Sequence, residues 1–162
     1  MNSYILFMGN KQYKILISDD EDTLRSILAK ELSEKGFETY PFQVKTDAYV
    51  WMKYNNPDVI ISDIRSIGMN GYEFLELLKA NPYTKDIPFI FVTGFARIKD
   101  AILAQKLGAA DYINKPYDLD ELLGVIERVI CSRTKHLAES SPKIVSRVDL
   151  TEMIKTAFSN RN

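Results

Sequence analysis

Residues 15–22 read ILISDDED: an apolar run that ends at Ser18, followed by four acids in succession. A short apolar run bounded by polar residues reads as a buried β-strand, here Tyr13–Ser18, and Leu24 opens a helical pattern just beyond it. Acids suit the first turn of a helix, where they meet the positive end of its dipole, and that accounts for Glu21 and Asp22. Asp19 and Asp20 are in surplus. Two adjacent carboxylates at the end of a buried strand repel each other and need a partner.

Outward from this stretch, short apolar runs alternate with amphipathic helical patterns, the signature of βα units around a parallel sheet. Leu24, Ile27, Leu28 and Leu32 form one apolar stripe, and Gly36 stands where a helix ends on a residue tolerant of positive φ. The segment Glu38–Phe42 is a weaker strand; Pro41 cannot donate to a ladder, so it belongs at the sheet edge. A helix is expected over roughly Thr46–Asn55. The run Val59–Asp63 (VIISD) is apolar until its last two residues, as an inner strand covered on both faces should be. A helix with Phe74, Leu75, Leu77 and Leu78 follows, then a strand PFIFVT ending at Thr93, and a helix over Ile98–Leu107 broken by Gly108. Asp111–Asn114 makes a fifth strand before Lys115-Pro116. The last helix carries Leu119, Leu122, Leu123, Ile126, Val129 and Ile130.

In open sheets of this kind ligands bind beyond the carboxyl ends of the strands. The polar residues there are Asp19 and Asp20, Asp63, Thr93 and Lys115. Three carboxylates, a hydroxyl and an ammonium on one edge call for a divalent cation. Magnesium suits an all-oxygen site and bridges protein to phosphoryl oxygens, to which Lys and Thr donate. SDDEDT stands where a phosphate-cradling glycine-rich loop would follow the first strand, which disfavours a nucleotide and favours one phosphoryl group carried by the protein.

The stretches ILISDDE, PDVIISDIRSIGMNGYEFL, PFIFVTG and GAADYINKPYDLDEL resemble, in order and spacing, the receiver domains of two-component response regulators, over roughly residues 13–133. The resemblance implies an α/β fold, a doubly wound five-stranded parallel sheet of flavodoxin-like order 2-1-3-4-5. It implies Asp63 as phosphoacceptor, Asp20 as direct magnesium ligand, Asp19 as ligand through water, and the Arg65 backbone carbonyl as a further ligand. Lys115 and Thr93 would hold phosphoryl oxygens, Lys115-Pro116 would be cis, and Tyr112 would be the switch aromatic that follows the Thr93 hydroxyl. A tyrosine at position 112 also serves a core well. The chain departs from the family at Ser66-Ile67, where Met-Pro is usual, and at Gly94, where Ala is common; neither removes a reacting group. At the pocket mouth Arg65 and Phe95 offer no carboxylate or amide to orient water, so a slowly decaying phosphorylated state is expected.

The expected donor is a sensor histidine kinase or a phosphotransfer protein, because the sole histidine, His136, falls in a polar stretch and reads as a surface residue. Function would then be phosphorylation-gated binding of a downstream protein or a second protomer, with no enzyme activity apart from self-directed phosphotransfer and dephosphorylation. A phosphorylation-independent adaptor and a receiver fragment of a hybrid kinase are the alternatives. A magnesium-dependent phosphatase with an aspartate nucleophile is disfavoured, since it needs a second acid two residues after the first, where Arg65 stands.

Composition agrees with this class. A length of 162 residues with 46% hydrophobic and 27% charged suits one domain plus an appendage, and a net charge of -1 gives no electrostatic reason to bind nucleic acid. A lone cysteine, Cys131, excludes an intramolecular disulfide, and with no signal-like start or long apolar run a cytoplasmic location without membrane contact is expected. Around the receiver, residues 1–12 read as an N-terminal arm, 134–148 as a polar linker, and 149–162 as a short amphipathic C-terminal helix. Asp149 and Glu152 cap it, and Leu150, Met153, Ile154, Ala157 and Phe158 share one face, which at about three turns needs something to dock on.

Overall fold

Alternation along the first strand divides the core in two: Ile15 and Ile17 enter one apolar cluster and Leu16 the other. The computed structural model describes residues 11–94 and 97–140. In chain order the elements are β1 (Lys14–Ser18), α1 (Asp22–Glu34), β2 (Glu38–Phe42), α2 (Lys45–Met52), β3 (Val59–Ser62), α3 (Gly71–Ala80), β4 (Phe89–Thr93), α4 (Ile98–Lys106), β5 (Asp111–Asn114) and α5 (Leu119–Ser140). The strands pair in parallel in the order β2-β1-β3-β4-β5, the doubly wound arrangement expected.

The strands β1, β3 and β4 are buried along their length apart from half-buried Lys14, as inner strands flanked on both faces must be. Pro41 sits in β2 at the sheet edge, opposite Ile17. One face of the sheet packs Ile15, Ile17, Ile61 and Val92 against Leu28 and Leu32 of α1 and Leu122, Ile126 and Val129 of α5. The other packs Leu16, Ile60, Phe89 and Phe91 against Ala48 and Met52 of α2, Phe74, Leu75 and Leu78 of α3, and Ala104 of α4. Gly36 and Gly108 end helices at φ 97° and 91°, where a side chain would be strained. Asp58 ties the amino end of the sheet by accepting from the Lys14 amide at 2.8 Å and from Lys11 Nζ at 2.6 Å.

Three expectations need correction. Leu24 and Ile27 are 37% and 48% exposed, so the buried stripe of α1 narrows to Leu28 and Leu32. The second helix begins at Lys45 and ends at Met52 rather than near Asn55. The stretch 134–140, read as linker, continues α5 to Ser140 with exposed side chains. It is polar because it has no core to cover, and its composition of helix-tolerant residues keeps the backbone helical. The remaining linker 141–148, the C-terminal helix 149–162, residues 1–10 of the arm and Phe95 lie outside the described residues.

Candidate functional site

The sheet order reverses between β1 and β3, and the ends of these two strands open a crevice there. The Asp63 amide donates to Ser18 O at 3.0 Å, and the Asp19 amide to Phe42 O at 3.2 Å, so ladder hydrogen bonds carry both aspartates to one edge. The Lys115 amide donates to Thr93 O at 2.9 Å and sets the β5 end beside β4, and Lys115-Pro116 is cis.

Lys115 closes the arrangement. Its Nζ donates to Asp19 Oδ2 at 2.7 Å and to Asp63 Oδ2 at 3.2 Å. Burial pushes the Lys115 ammonium down, but its hydrogen bond to Asp19 and the charges of Asp19 and Asp63 outweigh it and hold the group above its ordinary value. Each carboxylate is also held by backbone. Asp19 Oδ1 accepts from the Glu21 amide at 2.9 Å, and Asp63 Oδ1 accepts from the Ile64 amide at 2.6 Å and the Arg65 amide at 3.4 Å. Arg25 donates to Asp19 O at 2.7 Å and pairs with Asp22, which sits in the first turn of α1 as expected; Glu21 takes the N-cap position.

Thr93 is fully buried at the end of β4. Tyr112 lies half-buried on β5 with its ring 6.3 Å from that of Phe91; burial first, then the charges of Asp100 and Asp63, raise its phenol. Asp20 lines an adjoining recess with Arg65, Ser66 and Tyr72. Among the described residues no three carboxylates are gathered into a ready-made metal cluster. The donor chemistry nevertheless fits a hard divalent ion: three carboxylates and the Arg65 carbonyl are all oxygen donors, and Lys115 already occupies the position of a cation between two of them.

Several residues here were not singled out in the sequence. A Cβ on Gly71 would lie 2.5 Å from Asp63 O, so only glycine lets α3 start against the end of β3. Asn70 and Glu73 form a capping box that fixes this start, a pattern readable as N-x-x-E before an apolar run. Lys45 is buried and donates to Ser66 Oγ at 2.8 Å, and no local pattern announces it. An open cleft of about 460 Å³ flanks the site, lined by Leu24, Ile27, Asp63, Lys115 and Tyr117 among others.

A family model for the response regulator receiver domain matches residues 15–127. Among curated relatives, the regulatory protein AtoC of Escherichia coli is 35% identical over 117 residues, which is 72% of this chain and 25% of that protein. The DNA-binding transcriptional regulator NtrC of Proteus hauseri is 33% identical over 116 residues, covering 72% of this chain and 24% of the relative. The chain thus spans about a quarter of the length of these relatives. Among solved structures, a response regulator from Chloroflexus aurantiacus superposes with a TM-score of 0.72 at 29% identity, over 75% of this chain and 99% of that one. The chemotaxis response regulator CheY4 of Vibrio cholerae superposes with a TM-score of 0.69 at 25% identity, over 74% and 99%.

Proposed function

The chain belongs to the response regulator receiver domain family, and from that premise we propose that Asp63 accepts a phosphoryl group from a phosphohistidine on another protein and that the modified site switches protein binding. The observation that carries this is the Lys115 ammonium held between Asp19 and Asp63 at the carboxyl edge of the sheet. Strand-end polar groups have no structural reason to converge in this way.

In the transfer, a carboxylate oxygen of Asp63 attacks phosphorus in line, the phosphorus–nitrogen bond of the donor breaks, and its electron pair leaves with the imidazole. Asp19 and Asp20, with Asp63 and the Arg65 carbonyl, would hold Mg2+, which supplies neutralising charge for the transferring oxygens. Lys115, already bonded to the Asp63 carboxylate, takes up a phosphoryl oxygen from the other side, and Thr93 donates its hydroxyl to another. Asp63 Oδ1 accepts from the Ile64 and Arg65 amides and Oδ2 from Lys115, so the attacking oxygen gives up one of these bonds as the new bond to phosphorus forms. The protein's contribution is position and charge. As the phosphoryl group draws the Thr93 hydroxyl, Tyr112 would follow and alter the surface made by α4, β5 and α5.

The donor is a sensor histidine kinase or a phosphotransfer protein, the setting is cytoplasmic, and the output is a protein partner or second protomer rather than nucleic acid bound directly. Among the described residues no helix is long and apolar enough to cross a membrane. Turnover on external substrates is disfavoured by Arg65, exposed where a phosphatase of the aspartate-nucleophile type would place an acid. Incubation with acetyl phosphate and Mg2+, followed by intact mass, is the test. An acid-stable, hydroxylamine-labile adduct of one phosphoryl group, absent in Asp63→Asn, is expected; an adduct that persists in that variant, or none in the wild type, would overturn the assignment.

A further inference from the structure

Lys45 is a lysine where two forces oppose one. It is the first residue of α2, at the positive end of the helix dipole, and it is only 1% exposed. An ammonium taken out of water is strongly disfavoured unless charge and hydrogen bonds compensate. Its Nζ donates to Ser66 Oγ at 2.8 Å. Ser66 Oγ gives its own proton to Met69 O at 2.6 Å, so it faces Lys45 as an acceptor. One charge-assisted hydrogen bond to a hydroxyl does not by itself balance the burial of the ammonium.

The remaining compensation comes from acids. Asp63, Asp20 and Asp19 all act on Lys45 through their charges, with Lys115 opposing, although burial remains the largest influence and leaves the ammonium below its ordinary value. Through its bond to Ser66 Oγ, Lys45 reaches the recess that Ser66 lines together with Asp20 and Arg65, while Lys115 bridges Asp19 and Asp63 from the β5 side.

We propose that Lys45 is a second, fixed cation of the acidic site, a positioning residue that weakens divalent-cation binding before phosphoryl transfer and offsets the charge that the phosphoryl group brings. This rests on the acceptor and metal assignments above. The charges make the case. The charges of three carboxylates and two ammonium groups sum to one negative charge, so a divalent cation overshoots neutrality. Phosphorylation of Asp63 turns its single charge into about two. The same set with a divalent cation is then balanced. Without Lys45 the balance shifts by one charge, and the unphosphorylated site becomes the one that a divalent cation neutralises. Lys45 thus couples metal retention to the phosphorylated state.

Calorimetric titration of Mg2+ into the unphosphorylated full chain tests this with no activity readout. Lys45→Met removes the charge and keeps most of the side-chain length, and Lys45→Arg keeps the charge. Removing one like charge from a partly screened site should tighten Mg2+ binding on the order of tenfold in Lys45→Met. In Lys45→Arg the affinity should stay within about twofold of wild type. Lys45→Gln, which can still donate to Ser66 Oγ, should follow Lys45→Met and serves if that variant fails to fold by circular dichroism. Wild-type binding that is lost in Asp20→Asn, with equal or weaker affinity in Lys45→Met and Lys45→Gln, would overturn the role of Lys45 alone. No Mg2+ binding by wild type or either neutral variant would overturn the metal site and this proposal together. Binding by the neutral variants but not by wild type would be the strongest support.

Discussion

Lys115 and Asp19 are 96 residues apart in the chain, yet the Lys115 ammonium rests 2.7 Å from the Asp19 carboxylate in a site that exposes little of either side chain. The contact exists only when β1 and β5 lie in the same sheet with their carboxyl ends level. It therefore reports on the whole fold as well as on the chemistry.

Replacing that lysine tests both. Lys115→Met leaves Asp19 and Asp63 as neighbouring, largely buried carboxylates without their cation, and a loss of about 2–3 kcal/mol is expected in metal-free buffer. Added Mg2+ should restore part of it by binding the folded form. Urea denaturation with and without Mg2+ measures both. A variant as stable as wild type without metal would show that the bridge carries no stability.

Glycine at position 71 should be irreplaceable for a reason unrelated to charge. A Cβ there would meet Asp63 O at 2.5 Å and Ile64 Cα at 2.8 Å, and both are backbone atoms that have no rotamer to yield. Gly71→Ala should cost on the order of 3 kcal/mol. Gly124 in α5 is the contrast: a Cβ there meets nothing within 4 Å, and Gly124→Ala should stabilise by up to about 1 kcal/mol. Two urea melts decide the matter, and equal effects at both positions would contradict the packing described.

Alkaline stability should depend on Tyr72. Burial, then the charge of Asp100, pushes its phenol from 10.0 to about 12. The folded state thus holds a proton that the unfolded state gives up first. The associated stability is complete below about pH 10 and is lost as pH rises through the folded value near 12. Tyr72→Phe has no such proton to lose, so its melting temperature should fall less steeply over this window than that of wild type. Parallel slopes would exclude this coupling.

If Asp63 carries the phosphoryl group as proposed, Arg65 should influence how long it stays. Its backbone amide approaches Asp63 Oδ1 at 3.4 Å, and its exposed side chain stands at the pocket mouth, where a hydrolytic water must arrive in line. Arg65→Asn supplies an amide that can orient such a water. Decay of the phosphoryl adduct, followed by intact mass after removal of acetyl phosphate, should become severalfold faster. An unchanged or slower decay would assign the side chain no part in it.

The legible parts of this protein are those where a local pattern carries a long-range consequence. VIIS and FIFVT are short apolar runs that fit inner strands, DYIN at the other sheet edge is set off by Gly108 before it and Lys115-Pro116 after it, and each ends on or beside a polar residue that the sheet then collects. Pro41 announced the edge by lacking a donor. Lys45 was illegible because QVKTDAYV reads as an ordinary exposed helix start; its burial comes from the loop holding Ser66, which belongs to a different βα unit. Ser66 itself stood out only as a departure from the usual Met. Leu24 and Ile27 fit the helical period but face the open cleft, and periodicity alone does not distinguish a covered stripe from an uncovered one.

The overhang of α5 has a mechanical side. At 22 residues the helix is roughly 33 Å long, and Arg133 clamps it to the Pro57 and Asp58 carbonyls at 3.4 Å and 3.1 Å. Beyond that clamp roughly 10 Å of helix stands clear of the sheet with its side chains in solvent. It is a cantilever. A 10° tilt at its root would swing the tip near Ser140 through roughly 2 Å, so a small rearrangement of the face that α5 shares with β5 is magnified by leverage alone before it reaches whatever the chain carries next.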